Sequence, residues 1–225
     1  MAGRRVTSFL SRRASLPVLS AAWEGELPVG SRLAGVDEAG RGSLAGPVVA
    51  AAVILPMDAT LPGLTDSKLL SPSVRVRLAE MIRSQAVACA VAAVEASQID
   101  ATNILRATLE AMARAVRDLA VQPDLVLVDG NMVPPLAVPA RWVIRGDQLV
   151  PAISAASILA KVTRDAIMDE WAVRFPAYGF AQHKGYGTAA HRSRIAAIGP
   201  CSIHRKTFAG VREHLGGAGA QGSLW

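Results

Sequence analysis

Four acidic residues stand where short apolar runs stop. Leu33-Ala34-Gly35-Val36 ends in Asp37-Glu38, Leu125 to Val128 ends in Asp129, and Trp142 to Ile144 ends near Gly146-Asp147. Carboxylates gathered together repel, and they stay ionised side by side only when something positive neutralises them. A hard divalent cation does this, since Mg²⁺ takes a few carboxylates, waters and substrate phosphate oxygens. Two such ions about 3.5–4 Å apart form a clamp for in-line phosphodiester cleavage. That chemistry needs oxygen ligands and no cysteine. The alternative is that each acid caps a helix or faces solvent. For Asp37-Glu38 the alternative is weaker, because the pair follows an apolar strand directly and Gly40-Arg41-Gly42 comes next. Neighbours on a strand point to opposite faces. Asp37 and Glu38 therefore share one site only if the chain bends there, and Gly40 and Gly42 permit a bend.

A second group of residues carries charge of the other sign. The chain has a formal charge of +6. Residues 1–26 contribute +2, residues 27–177 contribute −1, and residues 178–225 contribute +5. All four histidines, His183, His191, His204 and His214, lie in that last stretch. A basic flank beside a near-neutral body suits a polyanion partner, although a solvated surface explains the charge equally well. Cys201 and His204 have a C-x₂-H spacing, but no second pair completes a zinc site. Ser154, Ser157 and Lys161 are three and four residues apart, so they share a helix face. Taken alone, Lys161 reads as a snorkelling surface lysine.

The elements that must position these groups follow from periodicity and punctuation. Val48 to Leu55 is β-branched and alanine-rich, and Pro56 closes it. Ser71-Pro72 predicts an N-cap with Pro at the first helical position, opening a helix to about Ser84. Val87 to Val94 reads as a strand, and Ala101 to Leu119 as a longer helix. Pro134, Pro135 and Pro139 make a rigid loop, Pro151 opens a helix reaching Arg174, and Ala189 to Ile198 forms another. Strands come first, then helices and strands alternate, which predicts one mixed α/β sheet flanked by helices. With 225 residues, the chain suits one large domain or one with an appendage. The composition is 51% hydrophobic but only 4% aromatic, so Ala, Val, Leu and Ile must fill the core. Mean hydropathy is +0.31, yet the longest apolar run, Leu44 to Leu55, is broken by Gly46-Pro47 and falls short of the about 20 residues a membrane span needs. Two cysteines exclude a disulfide scaffold. Arg4-Arg5 faintly suggests an export signal, which Pro17, Trp23, Glu24 and Glu26 spoil.

Residues 35–42, Gly-Val-Asp-Glu-Ala-Gly-Arg-Gly, resemble the type 2 ribonuclease H family, ribonuclease HII. Further matches follow in the family's order: Thr65 to Lys68, Val128 to Asn131, Gly146-Asp147, Ser154 to Asp165, His183 to Thr188, and His204-Arg205 with Phe208. They span Leu33 to Arg212. The resemblance implies an RNase H-like fold, with a small helical and loop-rich C-terminal region that binds substrate from about residue 178. It implies an endonuclease that cuts RNA in RNA·DNA hybrids and incises 5′ to a single ribonucleotide in duplex DNA, leaving 5′-phosphate and 3′-hydroxyl ends. Asp37, Glu38, Asp129 and Asp147 match its metal-binding and catalytic carboxylates, with two Mg²⁺ or Mn²⁺ ions as cofactors. Gly40-Arg41-Gly42 matches its ribose-reading loop, where glycine lets the backbone approach a sugar and the 2′-hydroxyl separates RNA from DNA.

Tyr186 matches a tyrosine that packs on the sugar at the DNA side of the junction; taken alone, it suits a plain loop anchor. Ser154, Lys161, Lys68 and Lys184 are further substrate-contact candidates, since in the family the helix of Ser154 and Lys161 borders the substrate backbone; Asp165 is expected to be structural, because Asp147 better matches the family's fourth carboxylate. The family often carries a basic residue just after Gly-Asp, where this chain has Gln148 and Leu149. The expectation is a monomeric cytoplasmic enzyme with a basic arm over 1–26, a catalytic domain over 27–215 and a disordered tail over 216–225. The rivals are a non-catalytic hybrid binder and an actin-like ATPase of related fold. Retention of four carboxylates near phosphate disfavours the first, and the lack of a further glycine-rich phosphate loop disfavours the second.

Overall fold

Val48–Ile54 is a strand in which all seven residues are buried, which requires cover on both faces. In the computed structural model, which describes residues 28, 30–64, 67 and 70–216, this strand (β2) pairs antiparallel with β1 (Leu33–Ala39) and with β3 (Ala88–Val94). β1 pairs parallel with β4 (Leu125–Asp129), and β4 parallel with β5 (Ala140–Val143). The five-stranded order is β3-β2-β1-β4-β5. This is the mixed α/β sheet that the element order predicts.

Side-chain alternation divides β2 between two layers. Val48, Ala50, Ala52 and Ile54 meet Ala107, Ala111, Met112, Ala115 and Val116 of one helix, α3 (Ile104–Arg117). Ala51 and Val53 point the other way, toward Leu78, Ala79 and Ile82 of α1 (Pro72–Gln85) and Ala155 to Ala160 of α5 (Pro151–Arg174). Small residues let both helix layers approach the sheet closely. Gly35 is the extreme case, since a Cβ there would lie 2.1 Å from the Ala152 backbone carbon. The glycine lets α5 lie directly on β1.

Ser71 caps α1 by accepting from the Val74 N–H, with Pro72 opening the helix. The helix expected from Ala101 to Leu119 is α3, which starts later, at Ile104, and a short helix not expected from the sequence, α2 (Ala96–Ala101), precedes it. Asn103 is extended and its side chain accepts from the Arg106 N–H at 2.9 Å, so it starts α3. After β5 come a single turn, α4 (Gly146–Leu149), and then α5. α6 (Phe180–His183) and α7 (Ala189–Ile198) build the C-terminal region.

Aromatics are scarce overall, but Trp171, Phe175, Tyr178 and Phe180 cluster where α5 meets that region. No helix among the described residues is long and apolar enough to cross a membrane. The expected arm over 1–26 and Lys68 lie outside the described residues, as does the expected tail apart from Gly216.

Candidate active site

The carboxylates converge where the parallel ladder ends. Val36 pairs with Val128, and the next residue on each strand is Asp37 and Asp129. Alternation places both on the α5 face. Val36 and Val128 pack toward α3, whereas Ala39 joins the α5 layer. Asp147 is not at a strand end as expected; it lies in the first turn of α4, where its N–H meets Asp129 Oδ1 at 3.4 Å. β5 runs beside β4 with Val143 opposite Asp129, and so delivers Asp147 to the same rim.

The chain does not bend at Asp37-Glu38: β1 keeps regular pairing with β2 through Ala39↔Val49, so the two acids leave the strand on opposite faces. A bend proves unnecessary for them to act together, because β4 stops at Asp129 and leaves the end of β1 uncovered: Asp37 feels the charges of Glu38 and Asp129, and Glu38 that of Asp129.

Concentrated negative charge shows in the acidities. Burial pushes the Asp37 carboxyl well above the ordinary carboxylate range, and the charges of Glu38 and Asp129 push it further. The Ser157 hydroxyl and the Glu38 N–H, at 2.7 Å from Asp37 Oδ1, oppose this. Burial also raises Glu38, against the pull of Arg41, whose guanidinium is 3.8 Å away. The donors are all hard oxygens, and Arg41 is a near counter-charge of Glu38. That donor set fits divalent cations. Among the described residues no three His, Cys, Asp or Glu side chains form a ready ligand set.

The turn after β1 carries Gly40, Arg41 and Gly42, closed by a Ser43 N–H bond to the Gly40 carbonyl at 3.2 Å. Gly40 has φ +91°, and a Cβ there would lie 1.9 Å from Arg164 Nε. Ser43 bridges to Tyr186, which brings the tyrosine beside the turn across more than 140 residues of chain. Arg164 Cζ lies 5.2 Å, and Lys161 Nζ 5.5 Å, from the Tyr186 ring centre.

Histidines hold the Tyr186 loop, and their partners define their tautomers. His191 Nδ1 donates to the Tyr186 carbonyl at 3.0 Å, so its Nε2 accepts from His204 Nε2 at 3.0 Å. His204 Nδ1 then accepts from the Cys201 N–H at 2.9 Å. Burial brings both rings down to about 4, so they are neutral. Cys201 and His204 thus serve a hydrogen-bond chain, and burial pushes the thiol up to about 11.

The remaining candidates divide. Lys161 pairs with Asp165 at 2.6 Å, and Arg75 also faces that carboxylate at 3.9 Å, so Asp165 sits in an ion-pair cluster on α5. Lys184 pairs with Asp169. Ser154 has no exposed surface, which removes it from direct contact with substrate in this conformation. Ser157 does the positioning on that face, linking Asp37 to buried Ser67 through a 2.9 Å hydroxyl contact.

Sequence reasoning missed the roles of Arg164 and Arg205, both fully buried. A signal existed: Arg164 falls seven residues after Ser157 and four before Met168, on the inner stripe of α5.

The family model for ribonuclease HII matches residues 34–211. The chain is 56% identical over 183 residues to the ribonuclease HII of Geobacter metallireducens, covering 81% of this chain and 86% of that protein. It is 54% identical over 183 residues to that of Geotalea uraniireducens, covering 81% and 85%. The fold matches the ribonuclease H2 structure from Pyrococcus horikoshii at a TM-score of 0.68 and 26% identity, covering 81% and 96%. The rim of carboxylates, the glycine turn and the matched span together place this chain in the ribonuclease HII family, the metal-dependent endoribonucleases of the ribonuclease H class.

Proposed function

We propose that this enzyme hydrolyses the RNA strand of RNA·DNA hybrids and incises 5′ to a single ribonucleotide embedded in duplex DNA. The observation that carries this reading is the direct succession of Asp37-Glu38 and the Gly40-Arg41-Gly42 turn on one strand, beside Asp129 and Tyr186. A nuclease that reads ribose must hold its cleaving rim within a nucleotide or so of its sugar contact, and this succession does that. Asp37, Glu38, Asp129 and Asp147 would hold two divalent cations, Mg²⁺ or Mn²⁺, which would supply water activation and charge stabilisation at the leaving 3′-oxygen.

The chain's own groups do the rest. Ser157 orients Asp37, and the α4 turn aims Asp147 at the Asp129 side of the rim. Gly42 has open space around it and lets a sugar approach the backbone. Tyr186 offers a partly exposed ring for packing on a sugar. Lys161, Lys184 and Lys68 are the phosphate contacts of this reading; the first two exchange their carboxylate partners for phosphate oxygens.

The test is incision of a DNA duplex carrying one ribonucleotide, with Mg²⁺ or Mn²⁺ and with chelator. A nick 5′ to the ribonucleotide, giving 5′-phosphate and 3′-hydroxyl ends and absent in chelator, is the expected result. Full activity in chelator sinks the metal assignment. Equal cutting of all-DNA duplex sinks ribose reading by the glycine turn, and binding without products makes the chain a hybrid-binding module.

A further inference from the structure

Two guanidinium groups are sealed beneath the glycine turn. Arg164 and Arg205 are each 0% exposed, and no carboxylate among the described residues pairs with either. Their partners are main-chain carbonyls. Arg164 donates to Pro47, Lys184 and Ala45 at 3.0, 3.0 and 3.1 Å. Arg205 donates to Gly46, Arg41 and Gly40 at 3.1, 2.9 and 2.7 Å. Five of these six carbonyls belong to residues 40–47, and the sixth lies two residues before Tyr186. Burying two cations without an anion is costly, and an apolar filler serves stability alone better. The arrangement has another consequence, at the surface.

We propose that Arg205, backed by Arg164, is a specificity-determining positioning residue that turns the Arg41 and Gly42 amides outward as a donor pair for the ribose. The inference rests on the reading of this turn as the ribose reader.

The reasoning is one of peptide geometry. In a trans peptide the C=O and the following N–H point in opposite directions, and the described chain has no cis bonds. Arg205 draws the Gly40 and Arg41 carbonyls inward. The N–H groups of Arg41 and Gly42 must therefore face outward, at two residues that are themselves exposed. Neither amide has a hydrogen-bond partner among the described residues. Two successive outward N–H groups form a concavity for an electronegative oxygen, here a 2′-hydroxyl or the phosphate beside it. Arg164 supplies the second constraint. It fills the space a Gly40 Cβ would need, and it ties the turn to the Lys184 carbonyl at the base of the Tyr186 loop. Lysine cannot replace Arg205, because one ammonium lacks the planar fork that reaches three carbonyls.

The experiment has two arms. In chelator, fluorescence anisotropy compares binding of a duplex carrying one ribonucleotide with binding of the all-DNA duplex, for the parent and for Arg205→Lys. The variant is expected to unfold cooperatively, to bind all-DNA duplex as the parent does, and to lose about tenfold or more of its preference for the ribonucleotide. A merely structural role would lower the melting temperature and leave that preference intact, which overturns the proposal. The second arm uses the parent alone, so it stands whether or not the variant folds. Amide exchange at Arg41 and Gly42 should be fast in the free enzyme and slowed by the ribonucleotide duplex only. Equal protection by both duplexes, or by neither, overturns the donor pair. A parent that binds both duplexes equally overturns ribose reading itself, a failure distinct from an Arg205→Lys variant that discriminates normally.

Discussion

At the scale of residues, the rim trades stability for charge. Folding raises the pKa of Asp37, so the folded state holds its proton more tightly than the unfolded chain. A carboxyl shifted this way weakens the fold once pH passes its unfolded value, and the penalty is complete above its folded value. Asp37→Asn is therefore expected to abolish cleavage and, in chelator at neutral pH, to raise stability by roughly 1 kcal/mol. Mg²⁺ or Mn²⁺ should then raise the melting temperature of the parent much more than that of the variant. Equal metal-induced shifts would show that Asp37 holds no cation. The glycines separate fold from function in the same way. Gly42→Ala has open space and ordinary backbone angles, so its unfolding midpoint should move little, by under about 0.5 kcal/mol, while ribonucleotide incision falls. Gly35→Ala drives a methyl into α5 and should cost about 3 kcal/mol or more in a urea titration. If the two substitutions cost the same, the packing assignment of Gly35 is wrong.

At the scale of elements, the Tyr186 loop depends on neutral histidines. His191 and His204 are held at about 4 in the fold, against an ordinary value near 6.5. Between those values the unfolded chain binds more protons, so stability is fully present above about 6.5 and is lost as pH falls toward 4. Protonating His191 sets its Nε2 donor against that of His204, and protonating His204 sets Nδ1 against the Cys201 N–H. Denaturation midpoints measured from pH 7 to pH 4 should fall by on the order of 1–3 kcal/mol in all, and His191→Asn should flatten the curve. A midpoint constant over that range would contradict the tautomers assigned here. The start of the helix expected over 101–119 belongs to the same scale. Periodicity registers the apolar stripe, whereas a single Asn103 side chain decides where the helix begins.

At the scale of the whole molecule, the charge divides between a body of −1 and a C-terminal region of +5. A polyanion drawn to that region releases counterions on binding, so affinity should fall linearly on a log–log plot as salt rises. KM for a ribonucleotide-containing duplex, measured at several salt concentrations, checks this. A KM indifferent to salt would remove the basic region from substrate binding. Two cations on the rim would make the active face more positive than the formal charge implies.

Much of the site was legible in the chain. Asp37, Glu38, Asp129 and Asp147 stand out because each follows a short apolar run, and the family motifs, not that pattern, separate them from helix caps and solvent-facing acids; Gly40-Arg41-Gly42 stands out because glycine beside acid permits close backbone approach. Strand and helix positions followed from period and punctuation, which are local properties. Tertiary structure alone decided which faces those side chains occupy, that Asp147 rides a helical turn, that Ser154 is sealed while Ser157 positions Asp37, and that Arg164 and Arg205 lie buried. These outcomes depend on contacts between residues far apart in sequence, such as the 165 positions between Gly40 and Arg205. A basic residue reads as a surface charge until the carbonyls that receive it are in place. The chain by itself specified the oxygen-rich chemistry of the rim; packing chose which groups hold the glycine turn in position.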